Sequence, residues 1–415
     1  MKILLHSMNF APELVGIGKY SSEMAQWLGA KGHEVRVIAS PPFFPHWAVF
    51  EGHSGWAYRR AEWNGVTVWR APTWVPSRPR ALARMAHLMS FMLSSLPLLL
   101  AQSRWRPDVV VVVEPPLFCA PGVLFFSKLL GIKSWLHIQD YEVDAAFGLG
   151  LMRGGRMRRG ALALERWLLG RFNRVSTISA AMLDKAKDKG IAPDRLVLFP
   201  NWANVRSIRP CAPADRDAGN PASGYRATLD IPSDAVVVLY AGSLGNKQGI
   251  ELLAEAAALL ADSPRIHFVF CGNGPSRASL MAACLRLRNV RFLDLQPADR
   301  LNELLGVADI HVLPQRADAA DLVMPSKLAG MLASGKAVIA TAHPGTELSR
   351  AVSGRGLVVP PGDARALADA IARLAQSPPQ REAMGAAGRA FAEAELDQDA
   401  ILQRFERELL RCVAG

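Results

Sequence analysis

The sequence predicts an α/β chain of two domains, each built on a parallel sheet. Three observations carry that expectation. Short apolar runs alternate with Ala- and Leu-rich helical stretches, the pattern of parallel strands joined by helical crossovers. A glycine-bearing turn follows the opening strand of each half, Gly16-Ile17-Gly18 in the first and Gly242-Ser243-Leu244-Gly245 in the second. Residues 210–224, dense in Pro, Ala, Asp and Gly, separate the halves as a linker or surface loop would.

The elements follow in order. Lys2-Ile3-Leu4-Leu5-His6-Ser7 reads as a buried parallel strand. The glycine loop feeds an amphipathic helix over about 20–30, and Val35-Arg36-Val37-Ile38-Ala39 closes one βαβ unit. Residues 41–76, rich in Pro, Trp and Phe, hold a hairpin turned at Asn64-Gly65, a pair that tolerates the positive φ of a type I′ turn. A long helix over 80–102 and strands over 108–113, 134–140, 174–179 and 195–199 complete the first half. The second begins afresh with strand 236–241 and helix 249–260. Strands 267–271, 290–293 and 310–313, helix 326–333 and strand 337–341 continue it, before a tail of Ala/Arg/Glu-rich helices. Domain limits are expected at 1–203 and 204–395, with the last helix, about 396–415, returning to the first domain.

At 415 residues the chain exceeds one ordinary core. Half of it is hydrophobic and 20% is charged, a globular composition. Met1-Lys2 leads straight into a strand, so no secretory leader is expected. The longest uncharged apolar stretch, 91–101, is too short to span a bilayer and contains Pro97. Cys119, Cys211, Cys271, Cys284 and Cys412 are scattered, which suits a reducing cytosol and gives no zinc signature. The net charge of +11 points to nucleic acid, anionic membrane or phosphorylated small molecules. Nucleic acid ranks last, because the basic residues do not form one tract interleaved with stacking aromatics.

Two Rossmann-like halves imply facing domains with a cleft at the carboxyl ends of their sheets, suited to a nucleoside-diphosphate donor on one wall and an acceptor on the other. At His137-Ile138-Gln139-Asp140-Tyr141-Glu142-Val143-Asp144-Ala145 and Asp321-Leu322-Val323-Met324-Pro325-Ser326-Lys327-Leu328 the chain resembles glycosyltransferase family 4, of GT-B fold. Within it the resemblance is to the WcaI-like group of colanic acid biosynthesis, generally regarded as fucosyltransferases. It implies transfer of a sugar from a nucleotide-sugar donor, GDP-fucose, to a polyprenyl-diphosphate-linked sugar, with retained configuration and no essential metal. By the same resemblance, domain 1–203 binds the acceptor and 204–395 the donor.

Pro325-Ser326-Lys327 is the sharpest feature. Serine at a helix start caps it, the free N–H groups attract an anion, and Lys327 adds a point charge for a departing diphosphate. A plain helix cap beside a solvated lysine is the bland alternative. The Gly16 and Gly18 backbone suits a phosphate or sugar oxygen, or simply a tight turn. Gly272-Asn273-Gly274 ends a strand and shapes the nucleotide wall or is a mere strand-end turn. Glu347 stands where the family has a Gly-Gly-x-x-Glu loop facing the donor. Residues near Leu295-Gln296-Pro297 are candidates for reading the base.

The chain also departs from the family pattern. Leu322 and Gly330 occupy the places of two glutamates, and Ser243 and Gln248 those of an arginine and a lysine. Either Lys327, with Lys247 nearby, substitutes for them, or donor binding is weak. Asp140 is the candidate to orient the acceptor hydroxyl or take its proton, or else an N-cap. His137, on the strand itself, reads as a satisfied core group. Asp215-Arg216-Asp217 and Asp397-Gln398-Asp399 match a metal-binding D-x-D pattern but sit in hydrophilic surroundings, so no metal is expected there.

Two stretches are both basic and apolar. In 78–106 the leucines are explained by packing on a sheet. In 151–174 Arg153, Arg156, Arg158, Arg159 and Arg166 interleave with Leu162, Trp167 and Phe172, which points to a lipid diphosphate or an anionic cytoplasmic leaflet. Phe43-Phe44-Pro45-His46-Trp47 is expected to extend that surface. The localisation these features imply is peripheral, on the inner face of the plasma membrane. Two rivals remain: a nucleotide-sugar epimerase of the same fold, and a donor-binding scaffold without catalysis.

Overall fold

The computed structural model describes residues 1–14, 16–144, 155–211, 221–245, 248–316 and 325–415, the side chains at 81, 156–157, 221–223 and 298 excepted. The chain divides into two compact units, Met1–Pro200 with Leu402–Gly415, and Asn201–Ile401.

The first unit holds strands β1 (Lys2–His6), β2 (Glu34–Ala39), β3 (Arg59–Trp63), β4 (Val66–Arg70), β5 (Val109–Glu114), β6 (Lys133–Ile138), β7 (Arg174–Thr177) and β8 (Leu196–Leu198). They form one sheet in the order β3-β4-β2-β1-β5-β6-β7-β8, parallel except for β3. The crossover helices are α1 (Gly16–Ala30), α2 (Ala81–Ala101), α3 (Ala120–Leu130), α4 (Gly155–Leu169) and α5 (Ala180–Asp188). The valine run of β5 is buried throughout, as a central parallel strand covered on both faces must be. Asn64 and Gly65 turn the β3–β4 hairpin with φ of 48° and 78°, the I′ geometry.

The second unit follows with α6 (Pro221–Thr228), β9 (Val236–Ala241), α7 (Glu251–Leu259), β10 (Ile266–Cys271), α8 (Arg277–Ala283), β11 (Val290–Leu293), α9 (Leu301–Gly306) and β12 (Ile310–Leu313). It continues through α10 (Lys327–Ala333), β13 (Ala337–Thr341), α11 (Glu347–Val352), β14 (Gly356–Val359), α12 (Ala364–Gln376) and α13 (Pro378–Glu395). Its sheet is wholly parallel, in the order β11-β10-β9-β12-β13-β14. The final helix, α14 (Gln398–Ala414), carries Phe405, which stacks on Phe199 at 4.0 Å and meets the Trp135 edge at 5.1 Å. Glu406 on the same helix lies 2.7 Å from His33.

Two elements differ from expectation. The sixth strand, β14, was not expected: it opens on Gly356 and runs into Pro360-Pro361, both of which read as loop, and its pairing with β13 defines it. Residues 221–224, read as linker, open helix α6, with Pro221 at its first position, where proline needs no N–H partner. Residues 212–220 of that linker, with Asp215-Arg216-Asp217, lie outside the described residues.

Candidate functional site

In the second unit the strand order reverses at the β9–β12 neighbours, so crossovers leave to opposite sides and the carboxyl ends open a crevice there. Lys327, the first residue of α10, is brought to this end. Its ammonium donates to the Tyr240 hydroxyl at 2.6 Å and lies 4.4 Å from the centre of that ring. Tyr240 passes the chain on, donating to the Ser243 carbonyl at 2.5 Å. Burial pulls the Lys327 ammonium down to about 8, so near neutral pH it is charged but destabilised.

The glycines of the two neighbouring turns make room for this arrangement. Gly242 has φ of 144°, and a Cβ there would sit 2.2 Å from Lys327 Cε. A Cβ on Gly272 would fall 1.9 Å from the Gly242 carbonyl oxygen, and one on Gly274 2.4 Å from that of Leu244. The turns after β9 and β10 are therefore pressed backbone to backbone, and the lysine lies over the first of them. Ser243, Gln248, Gly272, Asn273, Gly274 and Lys327 thus belong to one end of one sheet. Gln248 Oε1 is buried without a hydrogen-bond partner among the described residues. Arg316 packs against Gly249 at the same loop, a cation the sequence reading did not single out. Lys247 lies outside the described residues, as does Leu322.

Two expectations change here. Ser326 occupies the N-cap position of α10 but has helical backbone angles and makes no side-chain cap, so the helix start owes its charge preference to Lys327 and the backbone. Gln296 is held by its own unit, accepting from the Tyr225 hydroxyl at 2.8 Å and donating to the Asp294 carbonyl at 2.8 Å. Glu347 begins α11 after the carboxyl end of β13, half-buried, with Thr346 capping the helix through Ser349 N–H at 3.1 Å.

The first unit places carboxyl groups at the corresponding end. Glu114, last residue of β5, is fully buried, and its Oε2 has no hydrogen-bond partner among the described residues. Burial first, and then the neighbouring Glu142, push it well above the usual carboxylate range. Glu142 is also raised by burial while accepting the Leu117 N–H at 2.9 Å. Asp140, following β6, adds its charge to both. His137 is a core group: its Nδ1 lies 2.9 Å from Ser176 Oγ and its Nε2 2.9 Å from Gln139 Nε2, and burial lowers it to about 3.

Gly16 opens α1 with φ of 60°. Gly18 is needed for packing, because a Cβ would lie 2.7 Å from that of Glu13. Glu13 is buried and takes N–H groups from Phe43 and Phe44 at 2.9 and 3.0 Å. Those bonds hold the start of the aromatic loop inward, while Phe44, Pro45 and Trp47 stay half-buried and His46 exposed. Phe43 is buried, and Trp47 packs on Phe43 and His87 at 5.4 and 5.3 Å.

The leucines of 78–106 also divide differently from the expectation. One face of α2 buries Leu88, Phe91, Leu98 and Leu99; the opposite face exposes Leu82, Met85, Met89, Leu93 and Leu100. The segment Leu82–Arg104 is long and apolar enough, by length and composition, to cross a membrane, though a third of its most apolar stretch is buried in the unit. Beside it α3 sets Gly122 against Leu96 and exposes Phe125 and Leu129. On α4, Arg158, Arg159, Arg166, Leu164 and Trp167 are exposed, and Arg171 stacks over Trp167 at 4.9 Å. Arg153 and the Arg156 side chain lie outside the described residues. Of the second D-x-D pair, Asp397 caps α14 through Ala400 N–H at 2.9 Å and Asp399 pairs with Arg206 at 2.9 Å.

Two wholly or largely parallel sheets in one chain, the second with a cation at its switch point, define the GT-B class of glycosyltransferases. Comparison with known proteins agrees. Residues 15–202 match the family model described as glycosyl transferase 4-like domain, and 235–377 that of glycosyl transferases group 1. Among solved structures, sucrose-phosphate synthase from Thermosynechococcus elongatus superposes with a TM-score of 0.77 at 19% identity, covering 100% of this chain and 99% of that one. The Anabaena protein HepE does so with 0.71 at 16%, covering 99% and 100%. The chain belongs to glycosyltransferase family 4. It is 44% identical to a protein of Escherichia coli (strain K12) provisionally named colanic acid biosynthesis glycosyl transferase WcaI, over 99% of this chain and 100% of that one.

Proposed function

We propose that this glycosyltransferase moves fucose from GDP-fucose to a polyprenyl-diphosphate-linked sugar in exopolysaccharide biosynthesis, with retained configuration, at the inner face of the plasma membrane. The observation that carries the reading is Lys327, an ammonium held over the Gly242 turn at the switch point of the second sheet. A departing diphosphate there meets a fixed positive charge that needs no reorganisation as the bond breaks. No metal is part of this reading. The 44% relative named for colanic acid biosynthesis supports the pathway, and the resemblance to its group supports fucose. In the first unit Asp140, beside Glu114 and Glu142, orients the acceptor hydroxyl.

Membrane contact falls to the outer face of α2. A helix apolar on both faces is at home only where both are covered. The sheet covers one, and a bilayer covers Leu82, Met85, Met89 and Leu93, with Arg78 and Arg80 at the helix start facing anionic headgroups. The exposed Arg158, Arg159 and Trp167 of α4 serve the same contact.

The test is release of nucleoside diphosphate from a panel of GDP- and UDP-sugars, with and without membranes containing undecaprenyl-diphosphate sugars. Acceptor-dependent release from GDP-fucose is expected. Acceptor-dependent release from another donor corrects the sugar, and saturable binding without release in either arm overturns transfer to this acceptor. Leu82→Ser with Leu93→Ser should lower binding to phosphatidylglycerol vesicles about tenfold or more while leaving nucleotide binding unchanged; undiminished vesicle binding removes α2 from the contact.

A further inference from the structure

The first unit has a second polar site at the opposite end of its sheet. A cavity of about 440 Å³ is lined by Lys133, Arg171, Arg174, Arg195 and Arg411, with Phe172, Asn173, Cys412 and Gly415. Lys133 and Arg174 are the first residues of β6 and β7, and Arg195 immediately precedes β8; registers Trp135↔Arg174 and Val175↔Leu196 set these amino ends side by side. Because the strands are parallel, Asp140 and the carboxyl cluster lie at the far end, about 17 Å away along β6. Arg411 reaches the cavity from α14.

Helix carboxyl ends also gather at this edge and attract cations, which accounts for part of the cluster. Arg195 donates to the Gly170 carbonyl at 3.2 Å just after α4, and Arg411 pairs with Glu408 at 2.5 Å. Arg174 donates to the Asn173 carbonyl at 3.4 Å and Arg171 lies over the Trp167 ring, contacts that leave most of the positive charge unanswered. Among the described residues no Asp or Glu side chain lines the cavity, so Glu408, outside the lining and paired with Arg411, is the one carboxylate set against its five cations. Arg174 Nε is buried without a hydrogen-bond partner among the described residues. Mutual repulsion and an orphaned guanidinium N–H are both costly, and both are relieved by one anion. The volume admits a small phosphorylated molecule, and guanidinium groups bind phosphate oxygens in pairs.

We propose that this cavity is a binding site for a phosphate- or diphosphate-bearing anion, separate from the donor and acceptor ends of the sheets. The group belongs either to a free phosphorylated metabolite or to an anionic lipid headgroup; Trp167, exposed and stacked by Arg171, would flank the latter.

Hydrogen exchange on the full chain locates the site. Pyrophosphate, phosphatidylglycerol vesicles and phosphatidylcholine vesicles are added in separate arms. Slowed exchange over 171–174, 195–198 and 408–415 is expected with pyrophosphate, with phosphatidylglycerol, or with both. Pyrophosphate alone assigns a soluble ligand, and phosphatidylglycerol alone a headgroup. Arg174→Gln with Arg195→Gln should weaken that binding about 10²-fold, about tenfold for each charge-assisted bond lost. Because Arg195 also holds the end of α4, Lys133→Gln with Arg411→Gln provides a second pair at the rim, expected to weaken it in the same direction. Exchange unchanged at these segments in all arms, or protection undiminished in both double variants, overturns the site. Donor turnover is measured separately, so loss of this proposal and loss of the transferase reading are distinct results.

Discussion

The carboxyl ends of the two sheets hold buried groups of opposite sign, and burial disfavours the charged form of both. In the second unit it pulls the Lys327 ammonium down to about 8; in the first it pushes the Glu114 carboxyl well above its usual range. The consequences differ. A destabilised ammonium gains most from a bound anion, which suits the diphosphate of the proposed reaction. A carboxyl held toward its protonated form tends to donate rather than accept, which suits the uncharged hydroxyl of the proposed acceptor.

Removing the cation should break the contrast most severely. Lys327→Ala is expected to cost on the order of 10²–10³ in turnover, the range for loss of one preorganised charge donor. Near-normal turnover at saturating donor would take Lys327 out of the reaction. The same lysine sets a pH dependence. A bound diphosphate favours the charged amine, whereas the free site loses its proton near pH 8. Nucleoside diphosphate affinity should therefore fall by up to about tenfold per pH unit above 8, with uptake of one proton on binding. Calorimetric titration between pH 7 and 10 in two buffers of different ionisation heat checks both, and a flat affinity would separate Lys327 from the diphosphate.

Glycine variants sharpen the comparison by separating placement from folding. Both glycines have φ near 140°, so either alanine carries backbone strain; beyond that shared cost, Gly242→Ala sets a Cβ against the flexible end of Lys327 and should lower kcat about 10- to 100-fold. Gly272→Ala drives a Cβ into the Gly242 carbonyl, a rigid obstacle, and should cost about 3 kcal/mol of stability in denaturant melts. Equal stability losses in the two would mean that the lysine is not the part that yields.

How much of this was legible in sequence depends on whether a residue announces its neighbours. Strands 236–241, 290–293, 310–313 and 337–341 were readable to the residue, because these apolar runs are too short for helices and are rich in Val, Ile and Phe. Lys327 was readable because it follows Pro325-Ser326 at a helix start. Its partner Tyr240 was not: it closes an apolar strand and looks like core until the α10 crossover returns beside it. Glu114 was hidden at the end of five valines, where the expected strand stopped one residue short. For α2 the composition showed an apolar helix, and only the buried positions of Leu88 and Phe91 reveal that Leu82, Met85, Met89 and Leu93 form the uncovered face. In the aromatic loop the inward turn of Phe43 was not legible, because nothing local shows that Glu13 will take the Phe43 and Phe44 N–H groups.

The smallest expected effect tests the other half of the comparison. In the unfolded chain Glu114 loses its proton near pH 4.3, while burial holds that proton to a higher pH in the folded unit. Between those values the native state binds a proton that the unfolded state has released. The carboxyl's contribution to stability is therefore whole below about pH 4.3 and is lost as pH rises toward the folded value. Glutamine has nearly the same shape and cannot titrate. Glu114→Gln should change stability by no more than about 1 kcal/mol at pH 4 and gain on the natural chain as pH rises to 8. Denaturant melts at pH 4, 6 and 8 measure the trend. A variant that loses ground with rising pH would show Glu114 to be an ionised, well-bonded carboxylate, and the acceptor end would then hold a base where a neutral acid is inferred.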